Sequence, residues 1–345
     1  MTRHDMRVAI VGAGAIGCRM AAHLAQQGTH CTLFDGWDEH VQAVNRNGLA
    51  LERGDAVEVF ALRAFSYETP PVPDHERFDV VLLAVRSDGT QAALPLVQRL
   101  LADDGCVVSC QNGVNEEAIA QAVGARRTLG CSLVMGARLV APGRVRVLEG
   151  ADTLRVGELD GRDSERVRRL ADLLSACGTA TVTRNLLGYR WMKLVLNATG
   201  NPLLLLSGQT ARVLHARAEV RRLIIAVTGE VLSAAAAAGI AVEPVLGAET
   251  AQWLAPGARD DARLHERLIA HGDALGERRL SMTADFEARG RTEVDHINGY
   301  VVAKAAQQGR MAPLNAAVVQ QVKALEAGAI AQDWASLRPL IELCG

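Results

Sequence analysis

The chain has 345 residues, 49% of them hydrophobic and 22% charged, and a formal net charge of -2, so two domains with cores of their own are expected. This near-neutral charge gives no electrostatic reason to bind nucleic acid or an anionic membrane surface, which leaves a small molecule as the expected ligand. The seven cysteines are scattered and form neither a disulfide framework nor a metal-ligand pattern, so a reducing compartment and no metal are predicted.

The N-terminal segment predicts the opening of a dinucleotide-binding domain. The chain enters an apolar strand directly after Met6, without the apolar stretch and cleavage site of a secretory signal, which predicts a cytoplasmic protein. A glycine-rich turn and a helix that ends at Gly28 follow this strand. The turn matches the pattern G-x-G-x-x-G with the residues Gly12, Ala13, Gly14, Ala15, Ile16 and Gly17.

Each glycine of this turn has a physical task in a dinucleotide site. Gly12 permits the tight turn, Gly14 lets the backbone approach a pyrophosphate, and Gly17 lets the helix pack closely on the sheet. The amides at the helix N-terminus then meet the phosphates. Taken alone the pattern is weak, because glycine pairs also form ordinary loops, but a second strand and an acidic residue follow it here.

That acidic residue is Asp35, which ends a predicted strand at residues 30–34. A carboxylate at this position accepts hydrogen bonds from an adenosine ribose and repels a 2'-phosphate, so Asp35 favours NAD over NADP. The alternative is an ordinary turn residue after a strand.

Further strands, predicted at residues 78–85, 106–109 and 128–131, continue the pattern of an open α/β sheet. Their carboxyl ends should line a crevice, with Arg86 at one end and Gln111-Asn112-Gly113 at another. Arg86 is therefore a candidate contact to adenosine or its phosphate, and Asn112 to the nicotinamide ribose. The alternatives are a solvated arginine and a plain turn, which Asn-Gly favours.

The end of the first half is predicted to add antiparallel strands to the sheet. Pro142-Gly143 forms a hairpin turn between strands at 137–141 and 144–148. A helix over residues 163–175 and a last strand over 179–184 follow. We place the domain boundary there, with a Rossmann-type dinucleotide-binding domain over residues 1–185.

Residues 186–345 are predicted to form an all-α domain that binds substrate, since strand signals fade after Asn185 and helix-forming residues dominate. The most apolar stretch, residues 223–242, is interrupted by Thr228, Glu230 and Ser233, which argues against a membrane-spanning helix. The fold class is thus α/β, followed by a helical C-terminal domain. This apolar helical half is suited to form a homodimer face.

Two polar clusters lie in the helical half. Lys193, Asn197 and Asn201 recur every fourth residue through an apolar segment, so a helix places them on one face. An ammonium and two amides are suited to hold a polar molecule while one of its oxygens is protonated, although a solvated helix face has the same pattern. The second cluster contains Ser281 and Glu293, for which helix capping and a favourable interaction with the helix dipole are the alternatives.

The two clusters together, behind the glycine turn, resemble the ketopantoate reductase family (2-dehydropantoate 2-reductases) almost from end to end. The motifs that carry the resemblance are Lys193-x-x-x-Asn197-x-x-x-Asn201-Pro202, Ser281-Met282, Arg291-Thr-Glu293-Val-Asp-His-Ile-Asn298-Gly299, Gln111-Asn112-Gly113 and Gly309-x-x-x-Pro313-x-Asn315. The resemblance implies reduction of a 2-keto acid in a cleft between a Rossmann domain and a helical domain.

The resemblance also implies a role for each site residue. Lys193 corresponds to the general acid and Glu293 to a carboxylate that positions the substrate and the lysine. Asn197, Asn201 and Ser281 match substrate-contacting positions, and Asn112 matches a residue near the nicotinamide. The chemistry agrees, because hydride attack on a ketone builds negative charge on its oxygen, which an ammonium stabilises and then protonates.

The chain departs from the family pattern in two places. NADPH-using members have an arginine just after the second strand, where this chain has Asp35-Gly36-Trp37, so NADH is favoured, although Arg86 stands where lysine is common and would partly restore NADPH binding. Residues 253–265 have no clear counterpart and are a candidate for a changed pocket. We therefore prefer ketopantoate reduction and keep two alternatives: a dehydrogenase of another hydroxy or keto substrate, and a dinucleotide-binding sensor without turnover.

Overall fold

A computed structural model describes residues 6–67, 77–278 and 280–345 of the chain. The first five residues, on which the predicted lack of a secretory signal partly rests, lie outside these ranges. The chain divides into two compact units, Met1–Leu186 and Leu187–Gly345. The predicted boundary at residue 185 lies one residue before this division.

The first unit is a mixed β-sheet with helices on both faces. Its described strands are β1 (Val8–Val11), β2 (Cys31–Asp35), β3 (Leu49–Arg53), β4 (Ala56–Phe60), β5 (Arg63–Ser66), β6 (Phe78–Leu83), β7 (Leu101–Ser109), β8 (Thr128–Ala141), β9 (Arg144–Glu158) and β10 (Thr179–Val182). Its described α-helices are α1 (Ala15–Gln26), α2 (Asp38–Asn47), α3 (Thr90–Leu100), α4 (Glu116–Val123) and α5 (Glu165–Leu174).

The strand order is β4-β3-β9-β8-β7-β6-β1-β2-β5, with β10 paired to β9. From β5 to β8 every neighbouring pair is parallel, whereas β8 and β9 form a long antiparallel hairpin. Parallel strands bring their carboxyl ends to one edge of the sheet. The glycine turn after β1, Asp35 at the end of β2, and the segments after β6 and β7 therefore share that edge.

The central strand β1 is buried on both faces. Val8 and Ile10 belong to one apolar cluster, which includes residues of α1 and α5, and Ala9 and Val11 belong to a second, which includes residues of α3. All four residues are 0% exposed. Burial on both faces explains why β1 is an unbroken apolar run and not an alternating one, and it fixes the start of the glycine turn.

The structure corrects the predicted strands in two places. The strands predicted at 128–131 and 137–141 are one continuous strand, β8, because β9 pairs with it along most of its length. The hairpin turn at Gly143, with φ +71, is confirmed. Strands β3, β4 and β5 are missing from the prediction, since each has only four or five residues and so short a run gives a weak periodic signal.

The second unit is almost entirely helical, as predicted. Its described helices are α6 (Leu186–Ser207), α7 (Ala211–Ala216), α8 (Ala218–Ala237), α9 (Thr250–Leu254), α10 (Ala262–Leu275), α11 (Ser281–Arg289), α12 (Val294–Gln307), α13 (Pro313–Glu326) and α14 (Arg338–Cys344). Helix α8 carries residues 223–237 of the apolar stretch at 223–242, and it buries Leu223, Val227 and Val231 completely. Across the described ranges, no helix is long and apolar enough to span a bilayer.

Candidate active site

The glycine-rich turn has the geometry of a phosphate-binding loop. Gly12 adopts φ +101, and a Cβ atom there would lie 2.5 Å from the backbone nitrogen of Val85. A Cβ atom on Gly17 would lie 2.0 Å from the carbonyl oxygen of Gly12, whereas one on Gly14 would meet nothing within 4 Å. Two of the glycines are thus required by packing, and the third leaves open space over the backbone, which fits the close approach of a pyrophosphate.

The first turn of α1 supplies the donors for such an anion. The helix begins at Ala15, and Gly14 at its N-cap has no side chain to accept a hydrogen bond from it. The amides of Ala15, Ile16 and Gly17 belong to the first turn and have no acceptor within the helix. These amides and the positive end of the helix dipole suit a phosphate group.

Ala13 faces the interior of the protein. It is 1% exposed, and its backbone N–H donates to Oδ2 of Asp35 at 2.7 Å. Among the six residues of the predicted turn, Ala13 therefore contributes to the shape of the loop, and its amide is already engaged by a carboxylate.

The Asp35 carboxylate accepts hydrogen bonds from two backbone N–H groups. Its Oδ1 accepts a hydrogen bond from the backbone N–H of Trp37 at 2.9 Å, which is the bond of an ordinary turn residue. Its Oδ2 ties β2 to the glycine turn through Ala13. A carboxylate has about four acceptor positions, so capacity for ribose hydroxyls remains. Burial, with the Asp35 charge as a second cause, raises the pKa of the neighbouring Tyr67 above its usual range.

Arg86 follows β6 at the same edge of the sheet. Its Nε lies 3.4 Å from Oδ1 of Asp88, and the Arg86 side chain is 18% exposed. Arg86 is therefore not a fully solvated arginine, because its side chain is mostly buried and lies beside an acidic residue.

Asn112 is held through its backbone. Its carbonyl oxygen accepts hydrogen bonds from Oγ of Ser87 at 2.9 Å and from Nδ2 of Asn115 at 2.8 Å. The preceding Gln111 is buried and donates from Nε2 to Oγ1 of Thr90 at 2.7 Å. Gly113 adopts φ +72, so this segment is a true turn as well as a braced one. The half-buried Asn112 side chain is presented by a rigid support.

The predicted stripe of Lys193, Asn197 and Asn201 lies on α6, one helical turn between successive members. Nδ2 of Asn201 donates to Oδ1 of Asn197 at 3.3 Å, which confirms that the two amides stack. Within the described residues, Nδ2 of Asn197 and Oδ1 of Asn201 are buried and have no hydrogen-bond partner. Buried polar groups normally have partners, so an unpaired donor beside an unpaired acceptor indicates a ligand site. Lys193, half-buried, stands one turn earlier.

Glu293 lies immediately before α12 and is 7% exposed. Its side chain makes no capping hydrogen bond to that helix, and a favourable interaction with the helix dipole stays an alternative. The neighbouring Thr292 takes that role in part, because its Oγ1 accepts a hydrogen bond from the N–H of Val294 at 3.2 Å and donates to Glu326 at 2.7 Å. A buried carboxylate therefore stands at the start of α12 without capping it through its side chain.

Ser281 is the exposed first residue of α11, and the N-cap position belongs to Leu280. Leu280 packs against the middle of α6, since a Cβ atom on Gly200 would lie 3.4 Å from its Cδ1. The start of α11 therefore lies beside the α6 turn that carries Asn201. Ser281 does not cap the helix through its side chain.

Helix α6 continues through Pro202, so one helical hydrogen bond is missing, and a side chain of α12 replaces it. Proline has no N–H, so the carbonyl of Ala198 lacks its usual partner four residues later. Nδ2 of Asn298 on α12 donates to that carbonyl oxygen at 2.9 Å. Trp191 and Tyr300 add a ring contact between the same helices, with centroids 5.9 Å apart. The stripe helix and the helix that follows Glu293 are therefore joined at a defined point.

The same asparagine starts a buried network that the sequence did not reveal. Asn298 also donates to Oδ1 of Asn315 at 2.9 Å, and Nδ2 of Asn315 donates to Glu230 at 2.8 Å. The Glu230 carboxylate accepts the N–H groups of Leu314 and Asn315 at the start of α13. Asn298 and Asn315 are 0% exposed. Asn298 and Asn315 therefore hold helices together. In the sequence, only their positions within the family motifs mark them as important.

The segment at 253–265 forms the end of α9, a 3-10 turn and the start of α10. With residues of α8 it lines an open groove of about 650 Å³, whose walls include Trp253, Arg259 and Met311. Lys193, Asn197 and Asn201 are not among the residues that line this groove. The segment thus shapes a pocket, but not one that contains the α6 stripe.

Comparison with known sequences gives matches over most of the chain. Residues 8–161 match the family described as ketopantoate reductase PanE/ApbA, and residues 185–326 match the C-terminal domain of ketopantoate reductase PanE/ApbA. A relative from Pyrococcus horikoshii, named 2-dehydropantoate 2-reductase, is 32% identical over 324 residues, which cover 93% of this chain and 98% of the relative.

Solved structures share the fold over a similar length. The PanE/ApbA family ketopantoate reductase from Ralstonia eutropha superposes with a TM-score of 0.76 at 26% identity, covering 94% of this chain and 99% of that one. A ternary structure of D-mandelate dehydrogenase with NADH and anilino(oxo)acetate superposes with a TM-score of 0.81 at 24% identity, with the same coverage.

Proposed function

The chain belongs to the ketopantoate reductase family and is an NAD(P)-dependent oxidoreductase, and we propose that it reduces ketopantoate, a short branched 2-keto acid, to pantoate. The observation that carries this proposal is the α6 stripe, where a lysine accompanies a buried amide donor and a buried amide acceptor that lack protein partners among the described residues. A sensor without turnover needs the glycine turn but has no need of a proton donor.

The nucleotide half of the proposal rests on residues at the edge of the sheet. The amides of Ala15 and Ile16 would hold the pyrophosphate over Gly14, Asp35 would accept the ribose hydroxyls, and Asn112 would contact the nicotinamide side. A bound nicotinamide supplies the hydride. Asp35 favours NADH, because its charge is tied in place beside the ribose position.

Lys193 has the task of handling the keto oxygen. When the keto carbon gains a hydride, negative charge develops on that oxygen. The Lys193 ammonium stabilises this charge and then donates a proton, which completes the hydroxyl group. Glu293, buried just before α12, positions the lysine and the substrate.

The two asparagines select the rest of the substrate. Whichever way both amides are turned, their mutual hydrogen bond leaves one N–H donor and one carbonyl acceptor. The donor suits a substrate carboxylate, and the acceptor requires a substrate group that donates. Ketopantoate carries both a carboxylate and a hydroxyl group. A keto acid without that hydroxyl leaves the amide acceptor unpaired, which costs binding energy.

A dehydrogenase of another 2-hydroxy acid is the second candidate. The segment at 253–265, without a counterpart in the family pattern, and the NADH preference expected from Asp35 favour it. Ser281 contributes to substrate contact under either candidate, since its exposed hydroxyl lies at the start of α11, beside the α6 turn that carries Asn201.

The test follows the loss of NADH absorbance with ketopantoate, with 2-ketoisovalerate, which lacks the hydroxymethyl group, and with benzoylformate. We expect kcat/KM for ketopantoate to exceed that for 2-ketoisovalerate about tenfold or more. Lys193→Ala should lower kcat about 10²- to 10⁴-fold, and the control Lys304→Ala, on α12, should not. Faster reduction of benzoylformate would favour the second candidate. If the wild type and Lys193→Ala bind the cofactor equally and neither turns over any acid, both candidate functions are overturned in favour of a sensor.

A further inference from the structure

Behind the glycine turn, a thiol and an imidazole form a buried pair. Cys18 and His40 are both 0% exposed, and Sγ of Cys18 lies 3.3 Å from Nε2 of His40. The backbone N–H of Gly143 donates to Nδ1 of His40 at 3.0 Å. Because Nδ1 is an acceptor, the neutral imidazole carries its proton on Nε2 and donates it toward the sulfur. The Cys18 thiol donates in turn to the carbonyl oxygen of Ala13 at 3.0 Å.

The other side of Ala13 completes a closed ring of contacts. Its N–H donates to Oδ2 of Asp35 at 2.7 Å, and Oδ1 of the same carboxylate accepts the N–H of Trp37 at 2.9 Å. The Trp37 indole stacks on the His40 ring, with centroids 5.5 Å apart and planes inclined by 17°. The contacts therefore run from Ala13 through Cys18, His40, Trp37 and Asp35 back to Ala13, and we name these five residues the turn brace.

Only one member of the turn brace is charged at neutral pH. Burial lowers the pKa of His40, against an opposing effect of the Asp35 charge, and burial raises the pKa of the Cys18 thiol. The imidazole and the thiol are therefore neutral. The turn brace holds a single carboxylate between uncharged partners, and both its oxygens are tied to backbone N–H groups.

We propose that His40 is a positioning residue that sets the choice between NADH and NADPH, because it keeps the Asp35 carboxylate from turning away from the adenosine ribose. The inference rests on the proposed function, since it concerns the nicotinamide cofactor of that same site. A carboxylate that cannot move repels a 2'-phosphate at short range. Ribose hydroxyls can still donate to its remaining acceptor positions.

Loss of the imidazole removes two supports at once. His40→Ala deletes the stacking partner of Trp37 and the hydrogen bond to Cys18, so the segment that holds Asp35 gains freedom. The carboxylate can then rotate away from a 2'-phosphate, and NADPH binding should improve relative to NADH binding. Trp37→Ala removes the stack at a residue that is 41% exposed, so it tests the same idea without opening the core.

The experiment measures the Kd of NADH and of NADPH by cofactor fluorescence, without any keto acid. We expect the wild-type chain to bind NADH about tenfold more tightly or better. His40→Ala and Trp37→Ala should each reduce this ratio about threefold or more, whereas Trp37→Phe, which keeps a stacked ring, should retain it. His30→Ala is the matched control, because His30 is an exposed histidine of the same unit and lies outside the turn brace.

An unchanged ratio in both His40→Ala and Trp37→Ala would overturn the inference, and so would a wild-type chain without a preference for NADH. If His40→Ala fails to fold, the Trp37 variants decide. Failure of the proposed reaction is a separate result, since cofactor binding with the expected ratios but no keto acid turnover leaves the role of His40 supported. A wild-type chain that binds neither cofactor would overturn both.

Discussion

The turn between β1 and α1 requires glycine, which has no side chain, at two positions. Helix α6 in the second unit instead requires a side chain from a neighbouring helix. At Gly12 and Gly17 a single Cβ atom would collide with backbone atoms at 2.5 Å and 2.0 Å. On α6, by contrast, Pro202 leaves the Ala198 carbonyl without its usual helical partner, and Asn298 supplies a replacement.

This difference shows two ways of holding polar groups in place. The glycine turn presents backbone amides, so its shape must be enforced by packing and by the hydrogen bonds of the turn brace. Helix α6 presents side chains from a regular helix, so the position of these side chains depends on the contacts that other helices make with α6. Variants at the two places should therefore fail in different ways.

The largest effect is expected for Gly17→Ala, because the added methyl group would lie 2.0 Å from the Gly12 carbonyl oxygen. Relief of this overlap requires the backbone to move, and we expect a loss of about 3 kcal/mol in unfolding free energy, at the upper end for overpacking. Denaturant unfolding followed by circular dichroism measures it.

Gly14→Ala is the matched control at the same turn. Its Cβ atom meets nothing within 4 Å and its φ is -70, so the fold should lose less than about 1 kcal/mol. The methyl group would occupy the space left for a pyrophosphate, so the Kd of NADH should rise. Equal destabilisation by both variants would remove the distinction between a packing glycine and a ligand-facing one.

A smaller effect is expected for Asn298→Ala in the second unit. It removes the donors to Ala198 and Asn315 and leaves their buried oxygens short of a partner, which costs about 1 to 3 kcal/mol of unfolding free energy. If Asn298 also places α12, and with it Glu293, KM for the keto acid should rise while the Kd of NADH stays unchanged.

Pro202→Ala isolates the repair function of Asn298. An alanine at 202 restores the N–H that reaches the Ala198 carbonyl, so Asn298→Ala should cost about 1 kcal/mol less in that background than in the wild type. Purely additive losses in this double-mutant cycle would show that the proline defect and the asparagine are unrelated.

The last effect concerns pH and belongs to the second unit alone. The rings of His215 on α7 and His271 on α10 lie 5.8 Å apart, and burial, together with the His215 ring, lowers the pKa of His271 to about 4. The folded state resists protonation that the unfolded chain accepts near pH 6.5, so stability present above that pH is lost as the pH falls toward 4.

We expect His271→Phe to remove about 1 to 2 kcal/mol of the stability difference between pH 8 and pH 5. Unfolding free energies of both proteins at the two pH values measure this, with the exposed His296→Phe as the control. If His271→Phe keeps the full pH dependence of the unfolding free energy, that dependence arises from groups other than His271.

The sequence predicted the first unit well because its signals are local. The glycine turn, the strand that precedes it and Asp35 follow one another within 28 residues, and each has a steric or electrostatic reason to be where it is. Strands β3 to β5 escaped prediction, because each is only four or five residues long, and β3 and β5 also depend on pairing with β9 and β2.

In the second unit the family motifs single out residues without showing what each of them contacts. Asn197, Asn201, Asn298 and Asn315 are the same residue type within motifs of the same family. Only the structure shows that Asn298 donates to Ala198 and Asn315, that the Asn315 amide is tied to Glu230, and that Asn197 and Asn201 bond to each other. The contact of Asn298 depends on the Ala198 carbonyl, which Pro202 leaves without its usual partner. A sequence does not show which distant side chain will reach that carbonyl.

The most direct test of the account is a crystal structure of the protein with a nicotinamide cofactor and a 2-keto acid. The account predicts that the Lys193 ammonium lies within hydrogen-bonding distance, about 3 Å, of the keto oxygen, with Asn197 and Asn201 on the other polar groups of the acid. A keto acid bound elsewhere, for example in the groove lined by Trp253 and Met311, with Lys193 directed away from it, would contradict the account.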